Sequence, residues 1–254
     1  MQVKQGLCLA ALFFLVTIAD AKAPQNLSYF ALVGTGVSFS RQEDISANPV
    51  DWDASPQGYN NSLNNSVLYT AGFGAQFTPL ISLDVETTLR PSFSYKKYQT
   101  STASGTPNFL GNKTRYFNLS DTSLMLNAYF HGQGLSDRLN YNLSQNTTLQ
   151  PVIGLGVGVA YNTVSNFYSV VTSNSSISSV ISNNSTYSLA WQTSLALEIT
   201  HLQKFGIDVG YRYFDGGIFR SGNFIISPPT DQVSPWEGRL HANEAFVDLT
   251  YHLS

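Results

Sequence analysis

The chain has 254 residues, of which only 11% are charged, against about 25% in a typical soluble globular protein. That shortage excludes an ordinary water-covered domain, 43% hydrophobic residues exclude a disordered chain, and a net charge of −3 excludes a basic nucleic-acid surface. The longest apolar run, Leu7 to Ala19, falls short of the about 18 residues a membrane helix needs, and it contains the single cysteine, Cys8, so the rest of the chain has neither disulfides nor a cysteine-based metal site.

Residues 1–21 read as a secretory signal peptide, with Lys4 in a short n-region, Leu7 to Ala19 as the apolar h-region and Ala19-Asp20-Ala21 as a small-residue cleavage site. The remaining domain, 22–254, is expected to be exported. From Leu27 onward apolar and polar residues alternate with a period of two, which predicts strands. Eight such segments follow in order: 27–40, 66–78, 80–96, 122–131, 150–162, 187–200, 205–214 and 242–253. Most are long enough to cross a membrane at a tilt, which takes about 9 to 11 residues. The stretches 41–65, 97–121, 163–186 and 215–241 are long and rich in Asn, Ser, Thr and Gly. Of the intervening connections, those at Pro79 and 201–204 are short and 132–149 is longer. Alternation of long and short connections is the plan of a meandering membrane barrel, and no linker divides 22–254 into two cores.

A soluble barrel shows the same period with its apolar face turned inward, so the contents of the two faces decide. One face carries Val33, Val37, Val85, Leu89, Phe93, Tyr95, Val157, Leu195, Val209 and Leu249, with aromatics mainly toward segment ends, where interfacial rings sit. The other carries Gly34, Gly36, Gly72, Gly74, Gly154, Gly156 and Gly158 together with Asp84, Glu86, Arg90, Lys96, Glu198, Asp208, Arg212, Glu244 and Asp248. A charge facing lipid at mid-bilayer costs about 2–4 kcal/mol, and a narrow lumen needs glycines to make room for large neighbours, so this face is expected to point inward.

The signal peptide, Gly154-Leu155-Gly156-Val157-Gly158-Val159-Ala160-Tyr161, Ile207-Asp208-Val209-Gly210-Tyr211-Arg212-Tyr213 and Ala245-Phe246-Val247-Asp248-Leu249-Thr250-Tyr251 carry a family resemblance. The chain resembles the small eight-stranded outer-membrane barrels of Gram-negative bacteria, the opacity-protein and outer-membrane-protein-A transmembrane type. The resemblance implies an all-β, eight-stranded antiparallel up-and-down barrel with four surface loops and both termini in the periplasm. It implies contact with outer-membrane lipid and lipopolysaccharide, and with the barrel assembly machinery during biogenesis. One departure is the closing Tyr251-His252-Leu253-Ser254, where such barrels usually end in an aromatic residue.

Candidate chemistry is sparse. His252 and Ser254 share a face but have no supporting motif, and His241 and Glu244, three apart on a strand, point to opposite faces, which removes a metal reading. No cofactor and no catalytic residue is expected. Counting from the turns, Asp84, Glu86, Glu198, Asp208 and Asp248 form a lower layer of the lumen, and Arg90, Arg212 and Glu244 an upper one, with Arg212 beside Glu244 across the last hairpin. In the loops, 215–241 stands out for its apolar content, and Phe219, Phe224 and Trp236 are candidate surface contacts to host or cell-surface ligands. The expected role is structural or adhesive, with a narrow outer-membrane channel second and an outer-membrane lipid hydrolase third.

Overall fold

Alternating side chains leave each segment with one apolar and one polar face, and a strand separates them most simply. In the computed structural model, which describes residues 27–41, 45–46, 63–99, 113–172, 174–227 and 229–253, every predicted segment is a strand. The elements in chain order are β1 (Ser28–Ser40), β2 (Ser66–Gln76), β3 (Ile81–Gln99), β4 (Lys113–His131), α1 (Gly132–Leu135), β5 (Tyr141–Ser144), β6 (Thr147–Val171), β7 (Ile177–Ile181), β8 (Asn184–His201), β9 (Phe205–Arg220), β10 (Phe224–Ser227), β11 (Pro229–Gln232) and β12 (Glu237–Leu253). The signal peptide and Ser254 lie outside the described residues.

Eight strands close a ring, β1-β2-β3-β4-β6-β8-β9-β12, entirely antiparallel. Closure is made by β1 and β12, in register from Tyr29↔Leu253 to Ser40↔Ala242, so the ring has no open edge and satisfies its backbone internally. At one end the connections are tight. Leu202 and Gln203 both adopt left-handed φ, 54° and 56°, as the central residues of a tight turn closed by the Lys204 N–H on the His201 carbonyl, between β8 and β9. The longer connection at 132–149 is occupied by α1 and by β5, which folds back on the start of β6. At the other end the strands run far past the length needed to cross a bilayer. β6 has 25 residues, and β7, β10 and β11 form a satellite sheet beside it.

The outer surface is a belt of Val33, Leu83, Leu126, Leu155, Val157, Leu189, Leu195, Leu197, Val209, Val247 and Leu249, all well exposed, Leu189 by 78%. Aromatic contacts border it on both sides. Tyr29 with Phe73 (5.9 Å) and Phe205 with Tyr251 (5.3 Å) mark the side of the tight turns, whereas Tyr161 with Tyr187 (4.8 Å) and Trp191 with Tyr213 (5.2 Å) mark the other. Glycines line the inside where the walls come close. A Cβ on Gly36 would collide with the carbonyl oxygen of Ala245, and one on Gly158 would meet Met125 Cα at 2.8 Å.

Three β-bulges change which residues face inward above the belt. Between Arg90↔Asp121 and Phe93↔Leu119, two residues of β3, Pro91 and Ser92, stand opposite one of β4. Proline has no N–H to give the ladder, and the extra residue inverts the alternation beyond it. Phe93 and Tyr95, expected on the lipid face, are therefore buried inside, and Lys96, expected inside, points outward. A second bulge places Asn166, with a φ of 54°, and Phe167 opposite the single residue Phe117. The third adds Gly216 to β9 between Asp215 and Gly217, whose φ of 69° suits glycine.

Candidate functional site

The sequence-predicted interior charges meet at two heights, and the upper is a closed ion-pair network. Arg90, fully buried, donates from Nε and Nη2 to Glu244 Oε1 and Oε2 at 2.6 and 3.1 Å, and from Nη1 to Asp121 Oδ1 at 2.6 Å and Ser123 Oγ at 3.0 Å. Arg212 donates from Nε to Glu244 Oε2 at 2.7 Å and from Nη1 to Glu86 Oε1 at 2.8 Å. Ser38 Oγ adds a fourth hydrogen bond to Glu244, at 2.8 Å to Oε1. The Arg90 guanidinium also stacks 3.6 Å above the Phe214 ring, which shields its other side from water. Asp121 belongs to this network although the predicted strand began one residue after it.

The expected pairing of Arg212 with Glu244 is present, directly across β9 and β12. The two heights are not separate layers, however. Glu86, assigned to the lower one, reaches the Arg212 guanidinium and links them.

Below the network three carboxylates stand side by side on adjacent strands: Glu198 opposite Asp208, and Asp208 opposite Asp248. Like charges in directly opposed positions are unfavourable. Glu198 is the best satisfied, accepting from His131 Nδ1 at 2.9 Å, Gln150 Nε2 at 3.0 Å and Thr200 Oγ1 at 3.0 Å. Asp208 accepts one long bond, 3.4 Å from Thr250 Oγ1. Asp84 accepts from Asn127 Nδ2 at 2.8 Å, and Asn127 Oδ1 accepts from Gln192 Nε2 at 2.8 Å. Glu198, Asp208 and Asp248 border a cavity of about 60 Å³ at the tight-turn end, lined also by Phe30, Leu32, Val152, Ala196 and Phe246.

Above the network the lumen is packed with apolar side chains. Phe93, Tyr95, Phe117, Leu119, Phe167, Phe214, Phe219, Trp236 and Leu240 form one buried cluster. Phe167 meets the Trp236 ring edge-on at 5.3 Å, and Tyr95 stacks on Phe117 at 4.4 Å. Phe219 and Trp236, expected as surface contacts, are 1% and 3% exposed and belong to this plug. Phe219 lies in the outward extension of β9 and Trp236 directly precedes β12, and both side chains turn in to fill the mouth. Phe224 is the one of the three that stands outside, at 51% exposure, as does Ile226 two residues further along β10. His252 lines the lower cavity, and His241 sits at the outer side of β12 with Nδ1 3.0 Å from the Tyr213 hydroxyl, away from Glu244 as its spacing required.

No family model and no curated protein matches the chain. Among solved structures it is similar to Neisserial surface protein A, at 12% identity and a TM-score of 0.38 over 89% of this chain and 99% of that one. It is also similar to the outer membrane protein OprG from Pseudomonas aeruginosa, at 12% identity and a TM-score of 0.49 over 92% and 99%. A third likeness is to the outer membrane protease OmpT from Escherichia coli, at 9% identity and a TM-score of 0.36 over 91% and 97%. The architecture stands on the chain's own ring pairing and belt. A closed eight-stranded antiparallel ring with an apolar, aromatic-bordered belt turned outward is a membrane-spanning barrel of the outer-membrane kind.

Proposed function

We propose that this eight-stranded outer-membrane barrel is a closed scaffold that acts through its outward extensions, which it presents to ligands at a host or cell surface. The observation that carries the reading is the filled interior. Arg90, Glu244, Met125, Phe214, Phe93 and Leu240 are all fully buried in the lumen, at successive heights between the lower cavity and the outer mouth. An eight-stranded ring leaves about enough room for its own side chains, so the chain spends its lumen on rigidity. Rigid walls suit a platform: β3, β4 and β6 continue outward beyond the belt, and the satellite sheet of β7, β10 and β11 carries Phe224, Ile226 and Ile177 into solvent. Exposed large apolar residues grouped in one place are contact material. The belt itself is taken to meet membrane lipid and, on the outer side, lipopolysaccharide, after insertion by the barrel assembly machinery.

Attachment of bacteria expressing the protein to cultured cells tests this reading. Wild type should raise attachment over an empty strain, and Phe224→Ser combined with Ile226→Ser should return it toward the empty level with surface expression unchanged. Equal attachment with and without the protein would contradict it. The channel reading requires a path through the ion-pair network and the aromatic plug, and the packing opposes it.

A further inference from the structure

The lower cavity holds an arrangement that the ion-pair network does not use. Ser82 on β3, His131 at the end of β4 and Glu198 on β8 are distant in sequence and are hydrogen-bonded in a chain. Ser82 Oγ lies 2.8 Å from His131 Nε2, and His131 Nδ1 lies 2.9 Å from Glu198 Oε2. A carboxylate at Glu198, whose Oε1 and Oε2 also accept from Thr200 and Gln150, accepts from the Nδ1–H of His131. In the neutral imidazole Nε2 is then the acceptor for the Ser82 hydroxyl. This is the order hydroxyl, imidazole, carboxylate, with the base oriented by a third group that is itself held in place.

All three side chains line the same cavity, which opens at the tight-turn end and offers the apolar surface of Phe30, Leu32 and Phe246. Gln76, directly opposite Ser82 across β2 and β3, lines it as well and brings a carboxamide donor near the hydroxyl. We propose that Ser82, His131 and Glu198 form a hydrolytic triad that cleaves small acyl esters entering the barrel from the periplasmic mouth. Ser82 Oγ bonds to the ester carbonyl carbon as its proton passes to His131 Nε2. The carbon–oxygen bond to the alcohol breaks, and the alcohol leaves with that proton. Water then attacks the acyl-serine, gives a proton to His131, and Ser82 Oγ departs and recovers it, so that ester and water become acid and alcohol. The proposal goes beyond the contact role argued above and departs from the expectation of a chain without catalytic residues. The sequence offered His252 and Ser254 as its hydroxyl and imidazole pair, whereas the fold assembles a different one from three strands.

A fluorophosphonate reporter applied to the full-length barrel folded in phospholipid vesicles with both faces accessible tests it. Wild type should become covalently labelled on the peptide containing Ser82. Ser82→Ala should abolish labelling, and Glu198→Gln should slow it by about a hundredfold. Ser185→Ala, which changes an exposed serine near the outer end of β8 and away from the cavity, should leave it unchanged. Folding of each variant is read from the mobility shift of the unheated protein on electrophoresis. Because serine and alanine differ by one oxygen atom, Ser82→Ala keeps the comparison interpretable if Glu198→Gln fails to fold. A folded wild type that takes no label, or a label that persists in Ser82→Ala, would overturn the triad and leave the attachment reading untouched.

Discussion

Glu244 accepts four hydrogen bonds, from Ser38, Arg90 and Arg212, inside a lumen where none of the four residues is more than slightly exposed. Removing one partner of a buried ion pair leaves the other charge without compensation, which costs about 3–5 kcal/mol. Glu244→Gln should therefore lower the unfolding free energy by about that much in urea titrations of the vesicle-embedded protein. Glu237→Gln breaks a pair with Arg220 that is roughly half exposed, and should cost no more than about 1 kcal/mol. The opposite sign is expected one layer down. Asp208 faces Glu198 on one side and Asp248 on the other, so Asp208→Asn should raise stability at neutral pH by up to about 1 kcal/mol, and a loss in the same titration would contradict the reading. At this scale the sequence was legible where charge and hairpin counting met, as in the pairing of Arg212 with Glu244. Asp121 was hidden because Lys113-Thr114-Arg115-Tyr116 preceding it does not alternate cleanly, and Ser82 because one serine among many carries no signal.

Strand alternation is a reliable guide to facing only until a bulge interrupts it. Pro91 was visible in the sequence, yet the pattern on both sides of it looked continuous, since Phe93, Tyr95 and Leu89 share a parity. The inserted residue turns two of those three inward and makes them part of the aromatic plug. Cysteine labelling in intact cells checks the inversion: Lys96→Cys should react with a membrane-impermeant maleimide and Tyr95→Cys should not. Within the belt, where no bulge intervenes, the sequence assignment stands. Val157→Arg should lower stability by about 2–4 kcal/mol if it lies near mid-bilayer. Its inward neighbour Gly156 does not provide a mild comparison even for serine, because a Cβ there would press on Asn127 and come within 2.9 Å of Gln192 Cγ. The glycine face is thus a packing surface, and its crowding was not readable from the alternation alone.

As a whole the molecule is a ring closed by β1 and β12 and wrapped by an apolar belt, with a cavity at the tight-turn end, an ion-pair network and an aromatic plug stacked in that order inside it. Ring, belt and strand number were legible because bilayer thickness and the period of two constrain them together. The plug was only partly so, because Phe93, Tyr95 and Phe214 lay in predicted strands whereas Phe117, Leu119, Phe167, Phe219, Trp236 and Leu240 come from stretches that composition marked as loops. With the tight turns expected in the periplasm, an epitope inserted at Ser175, in the turn between β6 and β7, should bind antibody on intact cells, and one at Pro79 should not. The central claim is that the lumen is closed, and recording from the purified barrel in planar bilayers tests it most directly. The filled interior predicts no discrete conductance steps with the wild-type protein, and stable, repeated steps of a single size would contradict it.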